Sequence, residues 1–123
     1  IVTICSREKA TSADDLPAYL RYTSQRIQNV REIADKEKLP FYIFSGKYGL
    51  VESKEITPYY DHLLSDKEIP DMIQFVKTQV QLLDINEIDF YAKARRGDWI
   101  PYYEVMETLA DQGVYTMNVI PLE

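Results

Sequence analysis

The sequence contains one cysteine and one histidine in 123 residues. The lone Cys5 excludes an internal disulfide and suits a reducing cytoplasm. His62 has no second histidine and no cysteine cluster to join it, so a zinc site lacks its ligand set and no metal or cofactor is expected. A surplus of positive charge is also missing. Fourteen Lys and Arg against twenty Asp and Glu leave a net charge of −6, which argues against the broad basic footprint that a phosphate backbone requires. Nucleic acid is therefore not an expected partner unless another chain supplies the basic surface. No apolar run approaches the ~18 residues of a membrane span, and no basic segment precedes an apolar stretch as in a signal peptide. Neither G-x-x-x-x-G-K nor G-x-G-x-x-G occurs, so ordinary P-loop or dinucleotide chemistry is disfavoured.

Hydrophobic residues at 46% and charged residues at 28% are ordinary for a globular protein, and the length fits a single domain over residues 1–123. The apolar runs 1–5, 41–44 and 88–92 read as buried strands, and 114–120 as an edge strand whose alternation Asn118 interrupts. Between them lie helical stripes. Leu16, Leu20, Thr23, Ile27, Val30 and Ala34 step by three or four, as one bent helix capped by Asp15 or as two pieces with a second cap at Thr23-Ser24. Ile69, Ile73, Val76, Val80 and Leu83 form a second stripe, opened either by the capping box Ser65-x-x-Glu68 or by Pro70 in a first turn. Tyr102, Val105, Met106 and Leu109 form a third, opened at Asp98 or Pro101 and stopped by Gly113. The order β-α-β-α-β-α-β predicts an α/β, three-layer domain with a mostly parallel four-stranded sheet. Strand order 2-1-3-4 is preferred over 3-2-1-4, and it opens a crevice between the first and third strands.

Parallel strands send their following loops to one end of the sheet, where ligands of such folds bind. Arg7 and Lys9 follow the first strand, Lys47 the second, and Lys93, Arg95 and Arg96 the third. Cations gathered at one pole of an acidic protein point to an anionic ligand such as a phosphate. The candidate contacts are Cys5, Ser6, Lys9, Ser45, Lys47, Tyr48, Tyr60, Lys93, Arg95 and Arg96. Lys47 is the foremost, because it follows a buried strand directly, between Gly46 and Gly49, which permit close backbone approach. Tyr48, Tyr59 and Tyr60 are candidates to stack on a base, or to fold back on their own sheet. Asp61 and His62 are the candidates for proton transfer. Cys5, ending an apolar strand, is expected to be a buried, poorly reactive thiol.

Ser45-Gly46-Lys47-Tyr48-Gly49-Leu50-Val51, followed by Pro58-Tyr59-Tyr60-Asp61 and Leu64, resembles an uncharacterised prokaryotic domain family. Its members carry Ser-Ala-Lys-Tyr-Gly-Leu and then a Pro-Tyr-Asp ending. Ile4-Cys5-Ser6-Arg7-Glu8-Lys9 and Arg21-Tyr22-Thr23-Ser24 match two further motifs of that family. Ser53-Lys54 stands where a Pro-Asp pair is usual, and an extra Tyr separates Pro58 from Asp61. The resemblance implies an α/β fold with a site built from these motifs, and it carries no settled reaction. A more distant pattern, Cys-Ser near a first strand and a Gly-Leu-Val loop, is similar to uracil-DNA-glycosylase-like domains of tRNA-modification enzymes. The expected function is a small cytoplasmic protein that binds a nucleotide- or nucleoside-type anion, cleaving a glycosidic or phosphoryl bond or sensing the nucleotide without catalysis. A nucleic-acid-processing domain that needs a partner is the further alternative.

Overall fold

A computed structural model describes residues 1–4, 16–21, 24–57 and 62–122. In chain order the elements are β1 (Val2–Ile4), β2 (Leu16–Pro17), α1 (Ala18–Arg21), α2 (Gln25–Glu37), β3 (Tyr42–Ser45), β4 (Gly49–Glu52), β5 (Ile56–Thr57), α3 (Ile69–Leu82), β6 (Glu87–Ala92), α4 (Ile100–Asp111) and β7 (Thr116–Pro121). Turns of 3-10 helix, Asp66–Glu68 and Gly97–Trp99, lead into α3 and α4.

One sheet has five strands in the order β4-β3-β1-β6-β7, and β2 with β5 makes a separate antiparallel pair. In the large sheet β1 runs parallel to β3 and β6, and β6 parallel to β7, whereas β4 runs antiparallel to β3. The expected four-strand sheet is corrected to five strands: the strands expected in the order 2-1-3-4 lie as β3-β1-β6-β7, and β4 joins antiparallel at the edge beyond β3. The segment read as loop after Phe44 turns back at once, because Gly49 adopts φ +68, a conformation that glycine reaches without steric cost. Leu50 and Val51 then pair with Phe44 and Ile43 and are buried.

Register assigns the faces. Val2 lies beside Tyr42 and Phe90, so Val2, Ile4, Phe44 and Phe90 share one face and Thr3 and Ile43 the other. Helix α4 covers the first face. Its Tyr102 ring meets Phe44 edge-on at 5.0 Å, and its Tyr103 meets Phe90 at 5.3 Å. Helix α3 packs beside α4 and against β4. Helix α2 buries Ile27, Val30 and Ala34, and its Arg26 reaches the Thr3 hydroxyl.

The helix expected from Leu16 begins later and in two pieces. Leu16 and Pro17 are strand, and α2 starts after Ser24, whose side chain accepts from the Ile27 N–H at 3.3 Å. Both expected starts of α3 are used in succession: the Ser65–Glu68 box opens the 3-10 turn and Pro70 falls in the first turn of the helix. Its buried stripe is Met72, Val76 and Val80, whereas Leu83 is 48% exposed. The stripe on α4 is buried throughout, and β7 forms the far edge of the sheet. No helix among the described residues is long and apolar enough to cross a membrane.

Candidate functional site

The carboxyl ends of β1, β3 and β6 lie at one end of the sheet because all three strands are parallel. The turn after β3 is built tightly. Ser45 is fully buried, and its hydroxyl accepts from the Lys47 N–H at 3.1 Å and the Tyr48 N–H at 3.0 Å. These two donors are therefore spent within the turn. A Cβ on Gly46 would stand 2.6 Å from the Leu64 nitrogen and 2.8 Å from the Tyr102 hydroxyl. Gly46 thus lets the segment 62–64 lie directly on the turn. The close approach expected toward a ligand is taken up by the protein's own backbone.

Gln79 of α3 clamps the other side. Its Oε1 accepts from the Leu50 N–H at 2.8 Å, and its Nε2 donates to the Tyr48 and Leu50 carbonyls at 3.2 and 3.1 Å. On this fixed turn Lys47 is exposed, with its Nζ 5.4 Å from the centre of the half-buried Tyr48 ring.

His62 is half-buried, and its Nε2 lies 2.7 and 2.8 Å from the two carboxylate oxygens of Glu68. Glu68 also accepts from the Ser65 N–H at 3.0 Å and hydroxyl at 2.9 Å. Those Ser65 bonds, and secondarily His62, hold the Glu68 carboxyl below its usual range. The histidine is thereby oriented by a carboxylate, as a proton-transfer group needs. The Ser65–Glu68 bonds, for their part, form the capping box of the 3-10 turn that leads into α3.

After β6, Lys93, Arg95 and Arg96 are all exposed. Arg95 is engaged with α4: its Nε donates to Glu107 at 2.9 Å and its Nη2 to Glu104. These two carboxylates raise its pKa above the usual guanidinium value. The Lys93 carbonyl accepts from the Tyr103 hydroxyl at 2.6 Å, which ties the loop's first residue to α4. Cys5, Ser6, Arg7, Lys9, Tyr59, Tyr60 and Asp61 lie outside the described residues. Among the described residues no three His, Cys, Asp or Glu side chains gather as a metal site would require.

Sequence reasoning missed Arg26 and Trp99. Arg26 Nη1 donates to the Thr3 hydroxyl at 2.9 Å and to the Ile4 carbonyl at 2.8 Å, at the very end of β1. The Thr3 hydroxyl in turn donates to the Tyr91 carbonyl of β6 at 2.8 Å. The Arg26 guanidinium stands 5.0 Å from the centre of the Trp99 ring, which also packs beside Phe90 and Tyr103. The one available signal was an arginine adjacent to Ile27 on the apolar stripe of α2. At the opposite end of the sheet, a groove of about 380 Å³ is lined by Leu39, Tyr42, Asp84, Glu87 and Asp89 among others, with no Lys or Arg. Its acidic lining does not suit an anion.

A mixed α/β fold with cation-bearing loops at the carboxyl pole of a mostly parallel sheet defines the class of the protein. The chain belongs to DUF6884, a family of unknown function, which it matches over residues 1–113. Neither a curated protein nor a solved structure matches it, so no comparison extends to the uracil-DNA-glycosylase-like domains.

Proposed function

We propose that the protein binds an anionic, nucleotide- or nucleoside-type ligand at the carboxyl ends of its parallel strands, in a cytoplasmic setting. One observation carries this reading. Exposed Lys47 follows β3 and exposed Lys93 and Arg96 follow β6, on either side of β1 and at one end of the sheet, in a chain of net charge −6. Cations carried to one end of the sheet despite an acidic balance create a local field for an anion. Tyr48, beside Lys47, offers an aromatic face to a base. The His62–Glu68 pair favours a second, catalytic reading, in which the oriented imidazole moves a proton during cleavage of a glycosidic or phosphoryl bond.

Thermal-shift measurement over nucleoside mono-, di- and triphosphates tests the binding reading, since a ligand bound only by the native state raises Tm. Lys47→Ala should weaken binding of any nucleotide found by about 1.5–3 kcal/mol, the worth of a charge-assisted hydrogen bond. That is roughly tenfold to hundredfold in Kd. Tm without ligand should not change, because an exposed cation contributes little to stability. Unchanged affinity for every nucleotide that binds the wild type rejects the reading.

A further inference from the structure

The order β4-β3-β1-β6-β7 reverses direction at β1. The chain passes from β1 to β3 on one side, and after β4 and α3 it returns to β6 on the other. In open α/β sheets the crevice outside the carboxyl ends of the two strands at such a reversal is where ligands lodge. Here those strands are β1 and β6. Among the described residues, Arg26, carried in from α2, reaches the carboxyl end of this pair at Ile4.

Its setting is more specific than that of a surface cation. Both hydrogens of Nη1 are committed, to the Thr3 hydroxyl and the Ile4 carbonyl. Two bonds from one nitrogen fix the plane of a guanidinium. Thr3 is itself anchored across the crevice, through its bond to the Tyr91 carbonyl of β6. Trp99, entering from the start of α4, stacks on the cation. Phe90 and Tyr103 hold the indole in turn. Three elements therefore converge to orient one half-buried charge. A guanidinium ordered before binding loses less freedom when it captures an oxyanion than a solvated lysine does.

We infer that Arg26, stacked on Trp99 at the β1–β6 reversal point, is the group against which the ligand's phosphoryl moiety sits, with Lys47 and the 93–96 loop as outer contacts. This rests on the anion-binding reading above and deepens it. It assigns the phosphate to the crevice and leaves the uncharged part of the ligand toward the Tyr48 side. Among the described cations Arg26 is then the inner contact that distinguishes phosphate-bearing ligands from the corresponding nucleosides, and Lys47 adds to that preference from outside.

The chain contains one tryptophan and ten tyrosines, so emission excited at the red edge of the indole band, where tyrosine does not absorb, reports Trp99. The experiment titrates AMP, inorganic pyrophosphate and adenosine into wild-type protein, Arg26→Gln, Arg26→Lys, Trp99→Phe and Lys47→Ala. Calorimetry is used on every variant and Trp99 emission on those that retain the indole. The expected result is a saturable emission change in the wild type with AMP or pyrophosphate. Arg26→Gln should raise those Kd values about tenfold to hundredfold while leaving any adenosine affinity unchanged. Arg26→Lys should restore only part of the loss, because a point charge lacks the planar stack.

A purely structural Arg26, tying α2 to β1, would affect AMP and adenosine alike. If circular dichroism shows that Arg26→Gln does not fold, Arg26→Lys and Trp99→Phe decide the matter. Both should weaken AMP selectively, and wild-type Kd values in both overturn the inference. Wild-type AMP affinity in Arg26→Gln together with a loss in Lys47→Ala overturns the role of Arg26 and leaves the anion reading standing. Absence of binding by AMP, pyrophosphate and every member of the nucleotide panel at millimolar concentration overturns both.

Discussion

The loops after β3 and β6 carry similar cations and are built in opposite ways. The first is folded into the body of the protein. Ser45 and Gly46 are buried, Gln79 clamps the strand that follows, and 62–64 lies across the turn. The second is exposed along residues 93–98 and touches the body through the Lys93 carbonyl and the Arg95 side chain. The exposed Lys47 head therefore projects from a backbone packed on both sides, whereas Arg96 projects from an exposed stretch that is tied at its first residue, Lys93. Charge alone does not reveal this difference. It depends on the residues beside the cation, and it implies that substitutions at the buried residues of the first loop act on stability, whereas those at its exposed Lys47 head and in the second loop act on the surface field.

The strongest way to break this comparison is Gly46→Ala. The new methyl would collide with the Leu64 nitrogen, the His62 carbonyl and the Tyr102 hydroxyl, and two of these belong to backbone that cannot rotate away. Overpacking of this kind costs about 3 kcal/mol, the upper part of its usual range. Urea unfolding should show the loss as a lower midpoint with an unchanged slope. A wild-type midpoint would mean that 62–64 does not rest on the turn. Tyr102→Phe follows in size. The hydroxyl accepts from the Leu64 N–H at 3.1 Å in a fully buried position. Removing it strands that donor at a cost of about 2 kcal/mol, while the ring and its contact with Phe44 stay in place. The same unfolding measurement checks it, and a change below about 0.5 kcal/mol would assign Leu64 another partner.

Why the sequence disclosed one loop better than the other follows from these residues. Alternating elements made a mixed α/β fold and a largely parallel sheet legible, because periodicities of two and of three to four are local properties of a segment. The hairpin partner at Gly49–Glu52 was not legible as a strand. Its four residues follow a turn whose left-handed glycine reads equally well as loop, and they are held on β3 with a clamp from Gln79, 29 residues beyond Leu50. Lys47, Lys93, Arg95 and Arg96 could be placed on their loops, since position after a strand is sequential information. That Arg95 would pair with Glu104 and Glu107 could not be read, because the bond depends on how α4 turns relative to its own entry loop. Arg26 was hidden for the same reason. An arginine on a helix looks solvated until the helix is docked on the end of β1.

A smaller effect sharpens the boundary of the rigid region at its His62 end. Glu68 is depressed from the ordinary carboxyl value of 4.5, first by the Ser65 bonds and less by His62. A carboxylate with a lowered folded-state pKa contributes stability above its unfolded pKa, and loses it as the pH falls through the folded value. The Tm gap between wild type and Glu68→Gln should therefore be present at neutral pH, narrow below about pH 4.5 and vanish in stronger acid. With 39% of the side chain exposed, solvent screening keeps the stability difference behind that gap below about 1 kcal/mol. A gap that persists unchanged at pH 2 would show that Glu68 acts through packing rather than charge.

The smallest expected effect belongs to the other loop. Arg95 makes two charge-assisted contacts, with Glu104 and Glu107, and on a count of bonds it looks better anchored than Lys47. All three side chains are more than 40% exposed, however, and water solvates each charge almost as well as its partner does. The loop is already fixed at its start by the buried-side bond from Tyr103 to the Lys93 carbonyl. Arg95→Ala should leave Tm at low salt within error of the wild type, and raising the salt should not separate the two. It should instead leave two uncompensated carboxylates beside Lys93 and Arg96, weakening the local field for an anion. AMP affinity should then fall by less than Lys47→Ala lowers it, and the difference should disappear in high salt as the charges are screened. A Tm loss comparable to that of Tyr102→Phe would put the 93–98 loop in the same structural class as the turn after β3, and the contrast between the two would fail.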